Sequence, residues 1–331
     1  MRISIDSARA LLETVMQRQG YSSAEAAIIA DHLLDSEIRG LRQGGLARAL
    51  SISERLARTG NARTPMRVEH ETALSARLDG GDQVGYLVAR RATDMALEKV
   101  RAHGIAMVGA HNTWYTGMLS YYAEMAVAQG MVAMIISNAT AWVAPHGATE
   151  GRFGTNPVCF GFPSTGVPVI WDIGTSIIIH ADAMLARRLG KPLQEGVAYD
   201  AAGKLTTDLA AALGGALRAW GGAKGSGLGL AVQLLGMMAG STVIPRDLSH
   251  FGFLIVLMNP ELLAPGEDFA AKVSEYVDWV HTARPDDPDV PVRVPFERSA
   301  EDRAARLKEG FIEVPEVIHA GLTALVAGAA T

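Results

Sequence analysis

The stretch from Leu78 to Ala110, LDGGDQVGYLVARRATDMALEKVRAHGIAMVGA, decides the fold class. Asp79-Gly80-Gly81-Asp82 reads as a turn, because glycine and aspartate accept the backbone conformations that turns require. Residues 84–103 place apolar side chains three and four apart, the spacing of one helix face, and stop at Gly104. IAMVGA (105–110) follows as a short apolar run, the mark of a buried strand, and Thr72–Leu78 has strand character ahead of the turn. The alternation continues with YAEMAVAQG (122–130) as helix and MVAMIIS (131–137) as strand, so the class is α/β. The standard phosphate motifs are missing from it. No G-x-x-x-x-G-K-[ST] occurs, and Gly225, Gly227 and Gly229 lack the spacing of a G-x-G-x-x-G fingerprint after a first strand, which argues against a P-loop and a Rossmann half.

Upstream, Ala8–Gln17 reads as a helix closing at Gly20. Ser22 with Glu25 forms a capping box before a second helix that ends at Gly40. Leu46–Ala57 is a third helix, stopping at Thr59-Gly60, with Pro65 beyond it. Downstream, Trp142–Asp172 is rich in Gly, Pro, Thr and Asn, with the short strands VCFGF and VPVIWDI embedded in it, and such loop-rich centres are where sites tend to sit. WGGAKGSG (220–227) opens the apolar helix LGLAVQLLGMMAG (228–240). A strand (HFGFLIVLM, 250–258), a helix (Phe269–His281), a proline-rich connection (Arg284–Pro295) and two closing helices complete the chain.

Composition narrows the function classes. With 331 residues, 49% of them apolar, the chain can bury a sizeable core and leans toward two domains. Charged residues make up 20% and the net charge is −5, so no basic face invites nucleic acid and the expected partners are small molecules. One cysteine, Cys159, cannot form an internal disulfide, and MRISIDSARALLETV lacks the basic flank and apolar run of a secretory signal; a cytoplasmic protein is expected. The apolar stretches Met131–Ile136 and Phe251–Met258 fall well short of the roughly 20 residues that cross a bilayer, so no membrane span is expected. The nine histidines are scattered, without an H-E-x-x-H, and no metal site is expected.

From the residues alone, Gly221–Gly225 with Lys224 at a helix start suits a phosphate, through backbone N–H groups and an ammonium, and equally suits tight helix packing with a solvated lysine. Gly154-Thr155-Asn156-Pro157 is either a plain turn or a ligand-contacting loop. Asn138 and Asn156 could hydrogen-bond a carboxamide or a substrate oxygen, with turn formation as the simpler account. Asp172 closes the apolar run VPVIW at a strand end, and His180 follows another apolar strand.

Taken together, these loops resemble the malate/L-lactate dehydrogenase-like family, which includes sulfolactate and ureidoglycolate dehydrogenases and the piperideine/pyrroline-2-carboxylate reductases. The likeness runs nearly end to end, through residues 78–110, VAPHGATEGRFGTNPVCFGFP (143–163), VIWDIGTS (169–176), GKPLQEGVAYDAAGKLTTD (190–208) and GGAKGSGLGLAVQLL (221–235). The ordered set GTNP, D-x-x-x-S and GG-x-KG is specific, although each is weak singly. The resemblance implies an α/β, non-Rossmann NAD(P)-binding fold with a helical domain built from both chain ends (1–70 and 270–331) around a central α/β domain (71–269). It implies NADH or NADPH as cofactor, a small anionic substrate and a homodimer. Trp171, Asp172, Ile173, Gly174, Thr175 and Ser176 would line the cofactor with Lys224 and Gly225, and the family's C-terminal P-G-E segment reads here as Pro295-Phe296-Glu297, leaving Glu297 to complete the site.

The family's catalytic run R-G-x-x-S-H-G-x-x-R, whose histidine gives a proton to the substrate oxygen, reads here Arg39-Gly40-Leu41-Arg42-Gln43-Gly44-Gly45-Leu46-Ala47-Arg48. Gly44 stands at the histidine and Gln43 at the serine. A second family histidine, in S-x-H-x-G, is replaced by Tyr115. Arg48 keeps the arginine position and suits a substrate carboxylate, with Gly44 and Asn156 beside it. A 2-oxo acid reductase needs a proton source. Tyr115 and the histidines His111, His146 and His180 are the candidates, alongside Asp172, whose family counterpart supports the histidine; a water in the space left by Gly44 is another. A substrate that arrives as an iminium needs no acid. The expected function is therefore hydride transfer to the C=N or C=O carbon of a small carboxylated compound, the alternative being a cofactor-binding but catalytically altered or inactive paralogue.

Overall fold

A computed structural model describes residues 1–328. In chain order the elements are β1 (Arg2–Ser4), α1 (Ile5–Arg18), α2 (Ser23–Ile38), α3 (Leu46–Thr59), β2 (Arg67–Glu71), β3 (Ser75–Val84), α4 (Gly85–His103), β4 (Ile105–Trp114), α5 (Leu119–Val127) and β5 (Val132–Ser137). The loop-rich middle holds β6 (Val143–Ala144), β7 (Val158–Phe162), β8 (Val169–Ile173), α6 (His180–Arg188), β9 (Ala198–Tyr199), α7 (Leu209–Leu213) and β10 (Ala216–Arg218). Then come α8 (Ala223–Met238), β11 (Phe251–Met258), α9 (Phe269–His281), α10 (Glu297–Glu309), β12 (Phe311–Glu313) and α11 (Glu316–Val326).

The main sheet has seven strands in the order β2-β3-β4-β11-β5-β7-β8. Only β3 and β4 pair in parallel, joined by the crossover helix α4; every other pairing in it is antiparallel. This is not the doubly wound parallel sheet of a Rossmann domain, as the missing fingerprint predicts. The spacing of Val88, Ala92, Ala96 and Val100 on α4 seats one helix face, with Ala123 and Ala126 of α5, against Val108, Ile135, Phe253 and Ile255. On the opposite face, Val232 and Ala239 of the α8 segment pack on Ile136, Val158 and Leu254.

The two chain ends meet. β1 pairs antiparallel with β12, Arg2 opposite Glu313, and α1, α2, α3 and α11 share one apolar cluster that also takes in Val84, Tyr86, Leu87 and Trp114. The capping box forms as expected: the Glu25 carboxylate accepts the Ser22 N–H at 2.8 Å and the Ser22 hydroxyl accepts the Glu25 N–H at 3.3 Å. A third, small sheet, β6-β10-β9, covers its own cluster with α6 and α7.

Two expectations are corrected. Asp79–Asp82 is not a turn between elements but an irregular stretch inside β3, where the pairing with β4 slips between Asp79 and Gln83 and Gly81 and Asp82 take φ of 62° and 53°. The glycine-aspartate composition signals left-handed backbone, and a β-bulge uses it as readily as a turn does. His180 does not follow a strand; it is the first residue of α6.

Gly225 shows how tightly the start of α8 is seated. A Cβ there would lie 1.7 Å from the Trp220 carbonyl oxygen, whereas a Cβ at Gly227, two residues on, would meet nothing within 4 Å. Gly225→Ala is therefore expected to destabilise the protein by more than about 2 kcal/mol, and Gly227→Ala to stabilise it by up to about 1 kcal/mol through helix propensity. Urea unfolding of the two variants beside the parent checks both signs.

Candidate active site

A cavity of about 320 Å³ opens where the carboxyl ends of β4, β5 and β8 and the start of β11 meet the beginnings of α3, α5 and α6. Gly44, Arg48, Tyr115, Asp172, Gly174 and His180, all singled out from the sequence, line it together. Tyr86, at the start of α4, lines it too. Sequence reasoning missed Tyr86, because an aromatic residue inside a helical apolar pattern reads as core.

Arg48 sits in the first turn of α3, its guanidinium 4.4 Å above the Tyr115 ring and its Nη1 buried without a partner. The start of α3 is fixed from behind: the Glu37 carboxylate accepts the Leu46 N–H at 2.9 Å, in space that opens because residue 45 is glycine, where a Cβ would lie 2.1 Å from Glu37 Oε2. Tyr115 itself has a φ of 53°, a strained conformation for a bulky residue, at the point where β4 hands over to the loop before α5. Gly44 faces the cavity with its back to Ser36; a Cβ would lie 2.6 Å from the Ser36 hydroxyl, which donates to Leu41 O at 3.0 Å.

Asp172, at the end of β8, accepts the Ser120 N–H at 2.8 Å in the first turn of α5. Burial nevertheless pushes its carboxyl up from 3.8 to about 6, with the Ser120 and Leu119 hydrogen bonds pulling the other way. His180 lies flat on Trp142, ring centroids 4.0 Å apart, with Nδ1 buried and unpartnered. Burial, then the Arg48 and Arg188 charges, lower it to about 3, so the imidazole is neutral at pH 7. Arg188 ties α6 to α3 by pairing with Glu54 at 2.9 Å and donating to Ser51 at 3.2 Å, which fixes His180 relative to Arg48.

The remaining sequence candidates either lie outside the cavity or have their polar atoms already bonded. Asn156 is fully buried and its amide is consumed: Oδ1 accepts the Ala139 N–H at 3.1 Å, and Nδ2 donates to Gly229 O at 2.8 Å and to Gln233 Oε1 at 3.0 Å. It latches the GTNP loop to α8 instead of facing the cavity, because each polar atom it could offer a substrate is already bonded. Asn138 lines the cavity but is likewise occupied, by Ser241 and Gly252. His146 is exposed, its backbone N–H donating to the Ser226 hydroxyl at 3.0 Å, so it stands over the start of α8 and not in the cavity. Glu297 opens α10, pairs with His281 at 2.9 Å and accepts the Val294 N–H at 2.9 Å. Phe296 before it keeps a left-handed φ of 86° although it is not glycine, its ring under the Arg39 guanidinium at 4.7 Å.

Apart from Glu297, the residues expected to hold a dinucleotide run from the cavity into the start of α8. Thr175 donates to Thr155 O and accepts the Trp220 N–H through its carbonyl at 2.9 Å, Ser176 bridges to Ala219, and the chain runs directly into Gly221-Gly222 and α8. No side chain caps α8, Lys224 is exposed in its first turn, and the buried Ser176 hydroxyl has no partner. Free N–H groups, an ammonium and an unpaired hydroxyl fit the phosphates of a dinucleotide, and Trp171, exposed and stacked against Phe160, offers an aromatic face next to them. Ile173 packs toward α8 from beneath. Among the described residues, no group of three or more His, Cys, Asp or Glu side chains is placed to hold a metal ion, and no helix is long and apolar enough to cross a membrane.

The raised Asp172 carboxyl has a stability consequence. Between about 4 and 6 the folded form holds a proton that the unfolded chain releases, so stability falls as pH rises through that window. Asp172→Asn is expected to flatten the profile and to gain on the order of 2 kcal/mol at pH 7; urea unfolding at pH 4.5 and 7 measures it, and equal gains at both would contradict the assignment.

Comparison with known proteins converges on one group. The family model for malate/L-lactate dehydrogenase matches residues 3–323. The chain is 32% identical to the L-sulfolactate dehydrogenase of Methanothermobacter thermautotrophicus over 86% of each chain, and 32% identical to the Delta(1)-pyrroline-2-carboxylate/Delta(1)-piperideine-2-carboxylate reductase of Pseudomonas putida over 98% of this chain and 97% of that one. Among solved structures, a dehydrogenase from Sinorhizobium meliloti superposes with a TM-score of 0.90 at 34% identity, covering 98% of both chains.

Proposed function

The chain belongs to the malate/L-lactate dehydrogenase family, and from that premise we propose that it uses NADH or NADPH to reduce the C=N or C=O carbon of a small carboxylated substrate, a 2-imino or 2-oxo acid. The observation that carries this reading is the buried, unpartnered Arg48 Nη1 in a cavity that also holds Asp172 and the neutral His180. A guanidinium left short of a hydrogen bond inside a protein is costly unless a ligand completes it, and its planar fork matches a carboxylate.

When bound, the reduced nicotinamide supplies a hydride, and Ser176, Lys224, Gly225 and the open start of α8 would hold its phosphates. The protein's own groups do the rest. Arg48, braced on Tyr115, takes the substrate carboxylate and fixes the reacting carbon at a set distance from the wall. The Nδ1 of neutral His180 is free to hydrogen-bond the substrate. Asp172 as a carboxylate stabilises the positive charge of a C=N substrate, which calls for a pH above its value of about 6. Asp172, His180 and Arg48 thus have distinct tasks, while Tyr115 serves as the platform for Arg48.

The test is turnover of pyruvate, oxaloacetate and a cyclic 2-imino acid with NADH and with NADPH. Turnover of at least one pair is expected, with Arg48→Met raising KM about 100-fold and moving kcat far less, since a carboxylate anchor acts before and during the reaction alike. No turnover of any pair, or a KM unchanged in Arg48→Met, contradicts the reading. The acid branch of the imine reaction should bend near pH 6 and lose that bend in Asp172→Asn.

We further propose that two copies pair. Leu230, Leu234 and Met238 repeat every fourth residue along α8 and are 52%, 54% and 56% exposed, and Tyr276 and Trp279 of α9 stand out at 64% and 66%. Apolar side chains in such a stripe favour a covering surface, and a second copy supplies one. A cytoplasmic setting accords with the single, buried, unpaired Cys159. Light scattering on the eluted protein is expected to give twice the 35.1 kDa chain mass, falling to the monomer for Leu234→Asp; a monomeric parent protein contradicts the pairing.

A further inference from the structure

The family's proton-donating histidine position is Gly44 in this chain, and the cavity wall beside it carries a buried hydroxyl with nothing to bond. Tyr86 is only 1% exposed, lines the cavity with Gly44, Arg48 and Tyr115, and its hydroxyl makes no hydrogen bond. The other two tyrosine hydroxyls of the same aromatic cluster are satisfied by protein, while His32 keeps an unpartnered Nδ1 away from the cavity. Tyr122 donates to Thr116 O at 2.9 Å and Tyr121 to Asp31 at 2.6 Å. Of these three tyrosines, Tyr86 is the one that lines the cavity and the one whose hydroxyl has no partner.

The ring is also fixed. It meets His32 edge-on, with centroids 4.7 Å apart, and presses on Gly117, where a Cβ would lie 2.4 Å from Tyr86 Cε1. His32 is no rival for the role: burial lowers it to about 3, its Nε2 accepts the Met118 N–H at 2.9 Å, and it does not line the cavity. Burial raises the Tyr86 phenol well above its ordinary value, with the nearby Arg48 cation pulling it back down. A phenol held neutral until a stronger base forms next to it suits a proton donor to an alkoxide.

We propose that the Tyr86 hydroxyl is the acid for reduction of a C=O substrate, taking the part that Gly44 cannot play. The proposal rests on the reductase reading above. The substrate carbon gains a hydride from the reduced nicotinamide, the C=O π pair moves to oxygen, and the Tyr86 O–H bond breaks as the substrate O–H bond forms. The tyrosinate left behind faces Arg48 and recovers its proton from water as product leaves. A C=N substrate that arrives protonated needs no such transfer, so the two substrate classes should respond differently to loss of the hydroxyl.

The experiment compares the parent enzyme with Tyr86→Phe, which keeps the ring packed on His32 and Gly117. The kinetic readout is kcat and KM for pyruvate and for a cyclic 2-imino acid. A second readout independent of turnover is calorimetric binding of oxamate, a non-reducible 2-oxo acid mimic, to the protein with cofactor. Tyr86→Phe is expected to lower kcat for pyruvate about 100-fold, to leave imine reduction within about threefold, and to weaken oxamate binding about fivefold. Pyruvate turnover within about threefold of the parent, or an equal fall for both substrates with oxamate binding unchanged, overturns the assignment. A parent enzyme that binds oxamate and reduces the imine but never pyruvate overturns it as well, while leaving the reductase reading intact. If the parent neither binds oxamate nor turns over either substrate, the reductase reading fails and takes the Tyr86 assignment with it.

Discussion

An arginine held in a cavity with one nitrogen unpaired is the constraint around which this protein is arranged. Arg48 cannot relax into solvent, because Tyr115 lies beneath its guanidinium and the Glu37 carboxylate pins the helix start that carries it. Keeping a charged donor in that state costs free energy that ordinary packing would avoid. The surrounding fold maintains it. The antiparallel insertion of β11 between β4 and β5, and of β7 between β5 and β8, brings the carboxyl ends of three strands that are not neighbours in the sheet to one rim, and the pairing of β1 with β12 ties the two chain ends together.

The electrostatics of the rim follow from burial more than from pairing. Asp172 is raised and His180 lowered, so near neutral pH the cavity presents one fixed cation, Arg48, the carboxyls of Asp172 and Asp182, both raised by burial, and several neutral hydrogen-bonding groups. Neighbouring groups pushed in opposite directions by their surroundings are a common mark of acid–base chemistry. A small anion with a polar double bond matches that inventory: one end neutralises Arg48 and the other meets the neutral donors. The exposed, uncapped start of α8 and the unpaired Ser176 hydroxyl extend the same logic to the phosphates of the hydride donor.

The sequence was legible where local chemistry decides structure. The Ser22–Glu25 capping box, the stop at Gly104 and the glycine-opened α8 depend on neighbours a few residues apart, and each forms where its residues predict. Asp79-Gly80-Gly81-Asp82 was misread because left-handed backbone is common to turns and bulges, and only the partner strand β4 distinguishes them. Asn156 and Tyr86 show the same limit at the site. A buried asparagine that latches two loops and one that contacts substrate have the same sequence context, and the difference lies in Gly229 and Gln233, more than seventy residues away. Tyr86 falls in a helix pattern that spells core, and only the three-dimensional placement of the start of α4 brings it to the cavity wall that also holds Gly44.

The most direct test of the account is whether the protein binds a reduced nicotinamide dinucleotide at all. Titrating the purified chain with NADH and with NADPH while following nicotinamide fluorescence should give a saturable enhancement with one of them, and Lys224→Ala should weaken it. No saturable signal with either dinucleotide would contradict the assignment of the wall formed by Ser176, Lys224 and Gly225, and with it the reduction chemistry built on Arg48.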